Sequence, residues 1–267
     1  MQISNRKHND LLWRHISELP YFRGFLRAVE SRFFQDIEMM QPTLDLGCGD
    51  GHFAARTFKK KIDFGIDPSE KVLRSKYNRA AYETVLCCEG NRIPFLSNSF
   101  STVISNSVLE HIKDVDSVIE EIFRILKPGG IVLLTVPNSN FTKNLSIATM
   151  FEKIRLPFAA TLYRNFFNAI SRHYHPDPGD RWMGRLKRVG FNIISNWNYF
   201  PKKSLRILEW GHYFGLPNLI NKFMFGRWIL FKNSWYVALI HRWLHTEFIK
   251  DQKAQTGAYT FIIAKKE

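Results

Sequence analysis

Along residues 43–136 the chain alternates short, nearly all-apolar runs with stretches whose apolar residues recur three or four positions apart. Runs such as Thr43-Leu44-Asp45-Leu46 and Ile131 to Val136 read as strands buried on both faces. Asp114 to Leu126 places Val118, Ile119, Ile122, Ile125 and Leu126 on one helical face, and Pro128-Gly129-Gly130 stops it. Such alternation predicts a parallel sheet covered on both faces. Before it, residues 1–41 read as helices divided at Leu19-Pro20; the second carries Phe22, Phe25, Leu26, Val29 and Phe33 at helical spacing. After it, Val136-Pro137-Asn138 opens an insertion to about residue 175. A short helix over 180–189 then ends at Gly190, and a strand runs from Phe191 to Trp197. The last strand is Tyr259 to Ala264, after the turn signal Thr256-Gly257.

Between the first strand and the helix beginning at His52-Phe53-Ala54-Ala55 lies Gly47-Cys48-Gly49-Asp50-Gly51. Glycines at such a turn permit positive φ and let a ligand approach the backbone. Charge narrows the choice of ligand. The strand end and loop carry Asp45 and Asp50, and no Lys or Arg follows them before Arg56. That suits a cofactor with cationic groups better than a pyrophosphate. The dinucleotide fingerprint needs a third glycine where this chain has His52. A nucleotide triphosphate loop needs Gly-Lys-Ser/Thr, which is missing.

The segment Asp45 to Gly51 resembles the first motif of the class I S-adenosylmethionine-dependent methyltransferases, in particular their type 11-like domain. Phe64-Gly65-Ile66-Asp67 resembles that family's second strand, which ends in an acid for the ribose hydroxyls. Cys88-Glu89-Gly90-Asn91-Arg92-Ile93-Pro94-Phe95 is similar to the family's Gly-Asp-Ala-x-x-Leu-Pro-Phe, with Glu89 in place of Asp. Phe100 to Ile112 looks like the fourth strand and its turn, and Ile125 to Gly130 leads into the fifth strand. The resemblance implies an α/β fold: a Rossmann-like, seven-stranded, mostly parallel sheet with helices on both faces. Helical insertions follow strand five and separate the last two strands. It implies S-adenosylmethionine as cofactor, with Asp45 on the methionine ammonium, directly or through water, and Gly47, Cys48 and Gly49 supplying close backbone. Asp67 would take the ribose, Glu89 and Gly90 would frame the adenine, and Asn106 would face the methionine moiety. Asp50 is read instead as a cap for the following helix. The N-terminal helix either packs on the sheet edge or brings Tyr21 or Phe22 over the cofactor.

The implied division is 1–41 N-terminal helices, 42–140 cofactor core, 141–198 lid insertion and sixth strand, 199–257 helical cap, and 258–267 final strand. Charge sharpens the interest of the cap. The net charge is +14, yet residues 1–140 hold 18 Lys/Arg against 17 Asp/Glu, while residues 141–260 hold 18 against 6. The latter region also carries 24 of the 39 aromatic residues, so it reads as a partner-binding surface. Within 199–257, short apolar runs alternate with single Lys or Arg, flanked by Trp and Tyr. That composition serves a cap packed on the core, an anionic membrane surface, or both. Nucleic acid is the weaker partner, because the basic residues are scattered rather than clustered.

Methyl transfer to a hydroxyl or carbon also needs a proton acceptor. His111, His173 and His175 are the candidates. The His173/His175 pair lacks a third ligand group in sequence, so no metal is expected. Cys48, Cys87 and Cys88 show no zinc spacing and read as reduced thiols of a cytosolic protein, with attachment to the inner face of a membrane as the variant reading. No run approaches a transmembrane span. The acceptor expected is amphiphilic, a hydrophobic small molecule or a lipid-linked one. The alternatives are an RNA-modifying methyltransferase and an inactive protein that keeps the cofactor fold.

Overall fold

The computed structural model describes residues 10–231 and 235–267. Seven strands form one sheet: β1 (Thr43–Leu46), β2 (Ile62–Asp67), β3 (Tyr82–Cys87), β4 (Phe100–Asn106), β5 (Leu126–Pro137), β6 (Phe191–Tyr199) and β7 (Tyr259–Lys266). Their order is β3-β2-β1-β4-β5-β7-β6. All neighbours are parallel except β7, which runs antiparallel to β5 and β6. The strand order reverses beside β1, where Leu44 pairs with Phe64 of β2 on one side and Val103 of β4 on the other. In doubly wound sheets a ligand crevice forms at this reversal, beyond the carboxyl ends of the strands.

The helices are α1 (Leu11–Ile16), α2 (Tyr21–Gln35), α3 (His52–Thr57), α4 (Glu70–Leu73), α5 (Lys76–Ala81), α6 (Val115–Ile125), α7 (Asn140–Lys143), α8 (Ser146–Lys153), α9 (Pro157–Ser171), α10 (Gly179–Val189), α11 (Lys202–Phe214), α12 (Leu216–Phe225) and α13 (Trp235–Phe248). Strand alternation divides the core between the two faces of the sheet. Val132 and Leu134 face a layer with Val118, Ile119, Ile122, Trp182 and Leu186, while Leu133 faces a layer with Phe25, Val29, Phe34 and Phe261. α6 starts after its cap, Asp114, which accepts from the Ser117 amide at 3.4 Å and hydroxyl at 2.6 Å. Pro128-Gly129-Gly130 is not a free stop, however. β5 already begins at Leu126, opposite Phe100, and a register shift between Phe100 and Thr102 absorbs the glycines.

The segment between β6 and β7 is helical, as its pattern predicts, and it is tied down at both ends. Phe200 N donates to Gln252 O at 2.9 Å, and Ser204 Oγ donates to Gln252 Oε1 at 2.8 Å. α11 lies against α2 so closely that a Cβ at Gly211 would stand 2.2 Å from Phe22 Cβ. α13 meets the N-terminal helices through His241 Nε2, 2.6 Å from Asp10 Oδ2. The first insertion docks on α11 as well: the buried Glu209 carboxylate accepts from the amides of Ser146 and Ile147 at the start of α8 and from the Tyr163 hydroxyl. The two insertions and α2 therefore build one roof over the carboxyl ends of the central strands.

Candidate functional site

At the end of β1 the chain turns under glycine control. Gly47 and Cys48 both donate to Ile66 O, at 2.8 and 2.9 Å, which fixes the loop to β2. Gly47 has φ +77° and a Cβ there would lie 2.4 Å from Val108 Cγ1. Gly49 differs. Its φ is +55°, but a Cβ would meet no heavy atom within 4 Å, so this stretch of backbone faces open space. Asp67, at the end of β2, turns its carboxylate to that loop. Oδ2 accepts from Gly49 N at 3.0 Å and Oδ1 from Ser69 N at 2.9 Å. Beside it runs a cleft of about 500 Å³ lined by Gly47, Asp67, Glu89, Gly90, Val108 and His111, among others. The N-cap of α3 is Gly51, which makes no side-chain cap, and Asp50 one residue earlier accepts from His52 N at 3.1 Å.

Two expected cofactor contacts lie elsewhere. Asp45 sits behind the loop, 5% exposed, with Oδ2 accepting from the Tyr82 hydroxyl at 2.5 Å. Burial pushes its carboxyl up to about 7. It supports the loop from within and does not line the cleft. Asn106 is also buried: its Nδ2 donates to Glu30 Oε2 at 3.0 Å and its Oδ1 accepts from Thr135 Oγ1 at 2.5 Å. The amide is thus committed to the interior rather than to a ligand. The Cys48 side chain packs toward Gly65, and burial raises its thiol, so this residue offers the loop only its backbone.

A larger cavity of about 820 Å³ adjoins the cleft, under the roof of α2 and the insertions. Its walls include Phe22, Arg27, Phe141, His212, Trp228 and Tyr259. Phe22 therefore lines this cavity rather than the cofactor cleft, and Tyr21 packs edge-on to Trp243, with ring centroids 6.0 Å apart. Cleft and cavity share two lining residues, Ser107 and His111. Ser107 holds a left-handed backbone, φ +54°, a strained conformation for a non-glycine residue. It is held there by its amide bond to Thr135 Oγ1 at 2.9 Å and its hydroxyl bond to Glu30 Oε1 at 3.2 Å. Glu30 is fully buried and also receives Arg27 at 2.7 Å and the Tyr199 hydroxyl at 3.0 Å.

The three histidines separate. His111 and His173 stand together at the cavity wall, ring centroids 5.4 Å apart, beside the buried Glu110. Burial pushes the Glu110 carboxyl up to about 8, pushes His173 down to about 3, and lowers His111. His175 turns away. Its Nε2 lies 3.0 Å from Ile112 O and 3.1 Å from Lys113 O, and its Nδ1 is 3.4 Å from Arg185, so it fastens the loop to the turn after β4. The expectation of a catalytic role for His175 is corrected by that packing.

Glu30, Glu110 and Arg27 were not singled out by the sequence. Glu30 belongs to a helix whose charged positions ordinarily face solvent. Glu110 carried a readable signal, since an acid inside Val108-Leu109-Glu110-His111-Ile112 is flanked by apolar residues on both sides.

Residues 44–134 match the model of the methyltransferase domain family. The ubiquinone/menaquinone biosynthesis C-methyltransferase UbiE of Desulfotalea psychrophila is 35% identical over 92 residues, 33% of this chain and 37% of that protein. The human mitochondrial arginine-hydroxylase NDUFAF5 is 32% identical over 156 residues, 57% of this chain and 42% of that protein. The chain thus spans about two fifths of the length of these relatives, at 37% and 42%. In fold it is similar to a SAM-dependent methyltransferase of Thermotoga maritima: TM-score 0.58, 15% identity, covering 92% of this chain and 91% of the other.

Proposed function

We propose that this chain, which belongs through residues 44–134 to the methyltransferase domain family, is an S-adenosylmethionine-dependent methyltransferase acting on an amphiphilic acceptor. The observation that carries the reading is the meeting of cleft and cavity at Ser107 and His111. Two ligand spaces that share a wall suit a reaction in which a group passes directly from one molecule to another.

The residues of the cleft fit the donor. Asp67 presents a carboxylate beside the open backbone of Gly49, Glu89 adds an acid at the rim, and Gly90 keeps that side of the cleft low. When bound, S-adenosylmethionine supplies a sulfonium-activated methyl group: the sulfur–methyl bond breaks, its electron pair stays on sulfur as a thioether, and the methyl–acceptor bond forms. The chain's part is to orient the acceptor and exclude water. A hydroxyl acceptor also gives up a proton, and His111, shared by cleft and cavity, with His173 beside it, is placed to receive it.

The volume and mixed lining of the cavity support an acceptor with an apolar body and a polar end. Phe166, Ile170 and Leu219 line it while remaining 49%, 44% and 53% exposed, so its mouth is rimmed by apolar side chains. The surface continues through Phe158, Phe223 and Phe231, exposed by 81%, 92% and 72%. Arg23 and Lys222 stand over the Trp228 ring nearby. We infer that this rim rests on an anionic membrane surface from which the acceptor enters. No helix among the described residues is long and apolar enough to cross a membrane.

The test supplies a radiolabelled methyl donor with three acceptor pools: a lipid extract, water-soluble metabolites and total RNA. Label is expected in the organic phase and lost in the Asp67→Ala variant. Label in RNA would turn the reading to the nucleic-acid alternative, and donor binding without label in any pool would favour a binding protein.

A further inference from the structure

Glu110, His111 and His173 each offer one ligand atom, and these atoms lie within 4.8 Å of one another. The geometry points to a binding site for a divalent first-row transition-metal ion formed by these three side chains, at the wall shared by cleft and cavity. Along the chain His173 has only His175 as an evident ligand partner; the fold turns His175 away and brings Glu110 and His111 instead.

Two unpaired atoms mark the cluster as more than neighbouring polar groups. Glu110 is 1% exposed, yet its Oε2 has no hydrogen-bond partner among the described residues, and neither does the buried His173 Nδ1. A bound cation would give that buried oxygen the partner it lacks. His111 is prepared in the manner of a metal ligand. Its Nδ1 lies 2.9 Å from Arg172 O, and a carbonyl only accepts, so Nδ1 carries the proton and Nε2 keeps a lone pair. That Nε2 is 3.8 Å from Glu110 Oε1. Ligands at about 2.0–2.2 Å from a shared ion lie roughly 3–3.5 Å apart, which small side-chain rotations would reach from here.

Two imidazoles and one carboxylate favour zinc, manganese, iron or cobalt over magnesium or calcium, which prefer an all-oxygen set. Three protein ligands leave coordination positions open toward the cavity, where His111 and His173 are part of the lining. With the imidazole lone pairs engaged by the ion, an acceptor hydroxyl bound there would be polarised by it and give its proton to water instead of to His111 or His173. That last step rests on the methyltransferase reading; the ion site itself does not.

The experiment titrates the full chain, stripped with a chelator, with Zn²⁺, Mn²⁺ and Co²⁺ by calorimetry, and follows Co²⁺ by its visible absorption. Binding of the donor's demethylated product is measured separately on every variant. One ion per chain is expected, with affinity at least 10-fold weaker in Glu110→Gln and in His173→Ala and unchanged in His175→Ala. Product binding should persist in all three, which reports a folded cleft. Absence of ion binding in the stripped wild type, or equal binding by the Glu110→Gln and His173→Ala variants, would overturn the site while leaving the methyltransferase reading to its own test.

Discussion

Tyr82, the first residue of β3, reaches across β2 to donate its hydroxyl hydrogen to Asp45 Oδ2 at 2.5 Å. The passage exists because Gly65 has no side chain: a Cβ there would stand 3.0 Å from Tyr82 Cδ1 and 3.0 Å from Cys48 Sγ. The glycine loop is therefore held from behind by a buried acid whose carboxyl titrates near neutrality, at about 7.

A pH dependence follows from that pair. The folded carboxyl lies above its ordinary value of 3.8, so its contribution to stability is full below that value and is lost as pH rises through about 7. Asp45→Asn should therefore stabilise the protein relative to wild type at pH 8, by up to about 4 kcal/mol, and change it little at pH 3, below the ordinary value. Urea denaturation of both proteins at the two pH values checks this. A wild type more stable than Asp45→Asn at pH 8 would contradict it.

At the donor cleft, Asp67→Ala should weaken binding of S-adenosylmethionine about 10–100-fold, through loss of charge-assisted contacts of about 1.5–3 kcal/mol. Gly49 is the cleaner second probe. Replacing it with Ala puts a methyl group into open space at a cost of about 1–2 kcal/mol for the left-handed backbone. Gly47→Val would instead collide with Val108 and disturb the fold. Calorimetry on folded Asp67→Ala and Gly49→Ala should show weaker binding in both; wild-type affinity in both would remove the donor assignment.

His173 and His175 are two positions apart, yet their variants should behave in opposite ways. His173→Ala is expected to depress turnover about 10²-fold or more with donor affinity little changed. His175→Ala should keep turnover while losing about 1 kcal/mol of stability, because its ring joins the loop to Ile112 and Lys113. Thermal melts alongside initial rates distinguish the two effects. The reverse pattern would return the catalytic role to His175.

The apolar rim makes its own prediction. Cosedimentation with anionic liposomes should fall as salt rises, since each basic residue near the surface contributes about 1 kcal/mol that salt screens. Changing Phe223, Phe231 and Trp235 together to Ser should abolish it without affecting donor binding, because these side chains are exposed by 92%, 72% and 77%. Equal binding to neutral liposomes at high salt would argue against the electrostatic part.

Much of this was legible because backbone constraints and periodicity are local. The glycine loop, Asp67 at the end of β2, the α6 face and the helical content of the last insertion all follow from residues close together in sequence. What stayed hidden depends on partners far apart. Glu30 reads as a solvent-facing acid until Arg27, Asn106, Ser107 and Tyr199 close around it from three elements and a turn. Asp45 matches a motif by position, but its direction is set by Tyr82 and by the gap at Gly65. The separation of His173 from His175 likewise depends on distant partners: His173 stands against His111 and Phe141, while His175 is held at Ile112 O and Lys113 O.

The wall of Ser107 and His111 that divides the two ligand spaces has a kinetic consequence. A group handed across one turn of chain, with no covalent stop on the protein, requires both molecules to be present at once. Steady-state rates measured at several fixed concentrations of one substrate should therefore give intersecting rather than parallel double-reciprocal lines. Product inhibition should reveal whether the roof over the cavity must open before the spent donor departs.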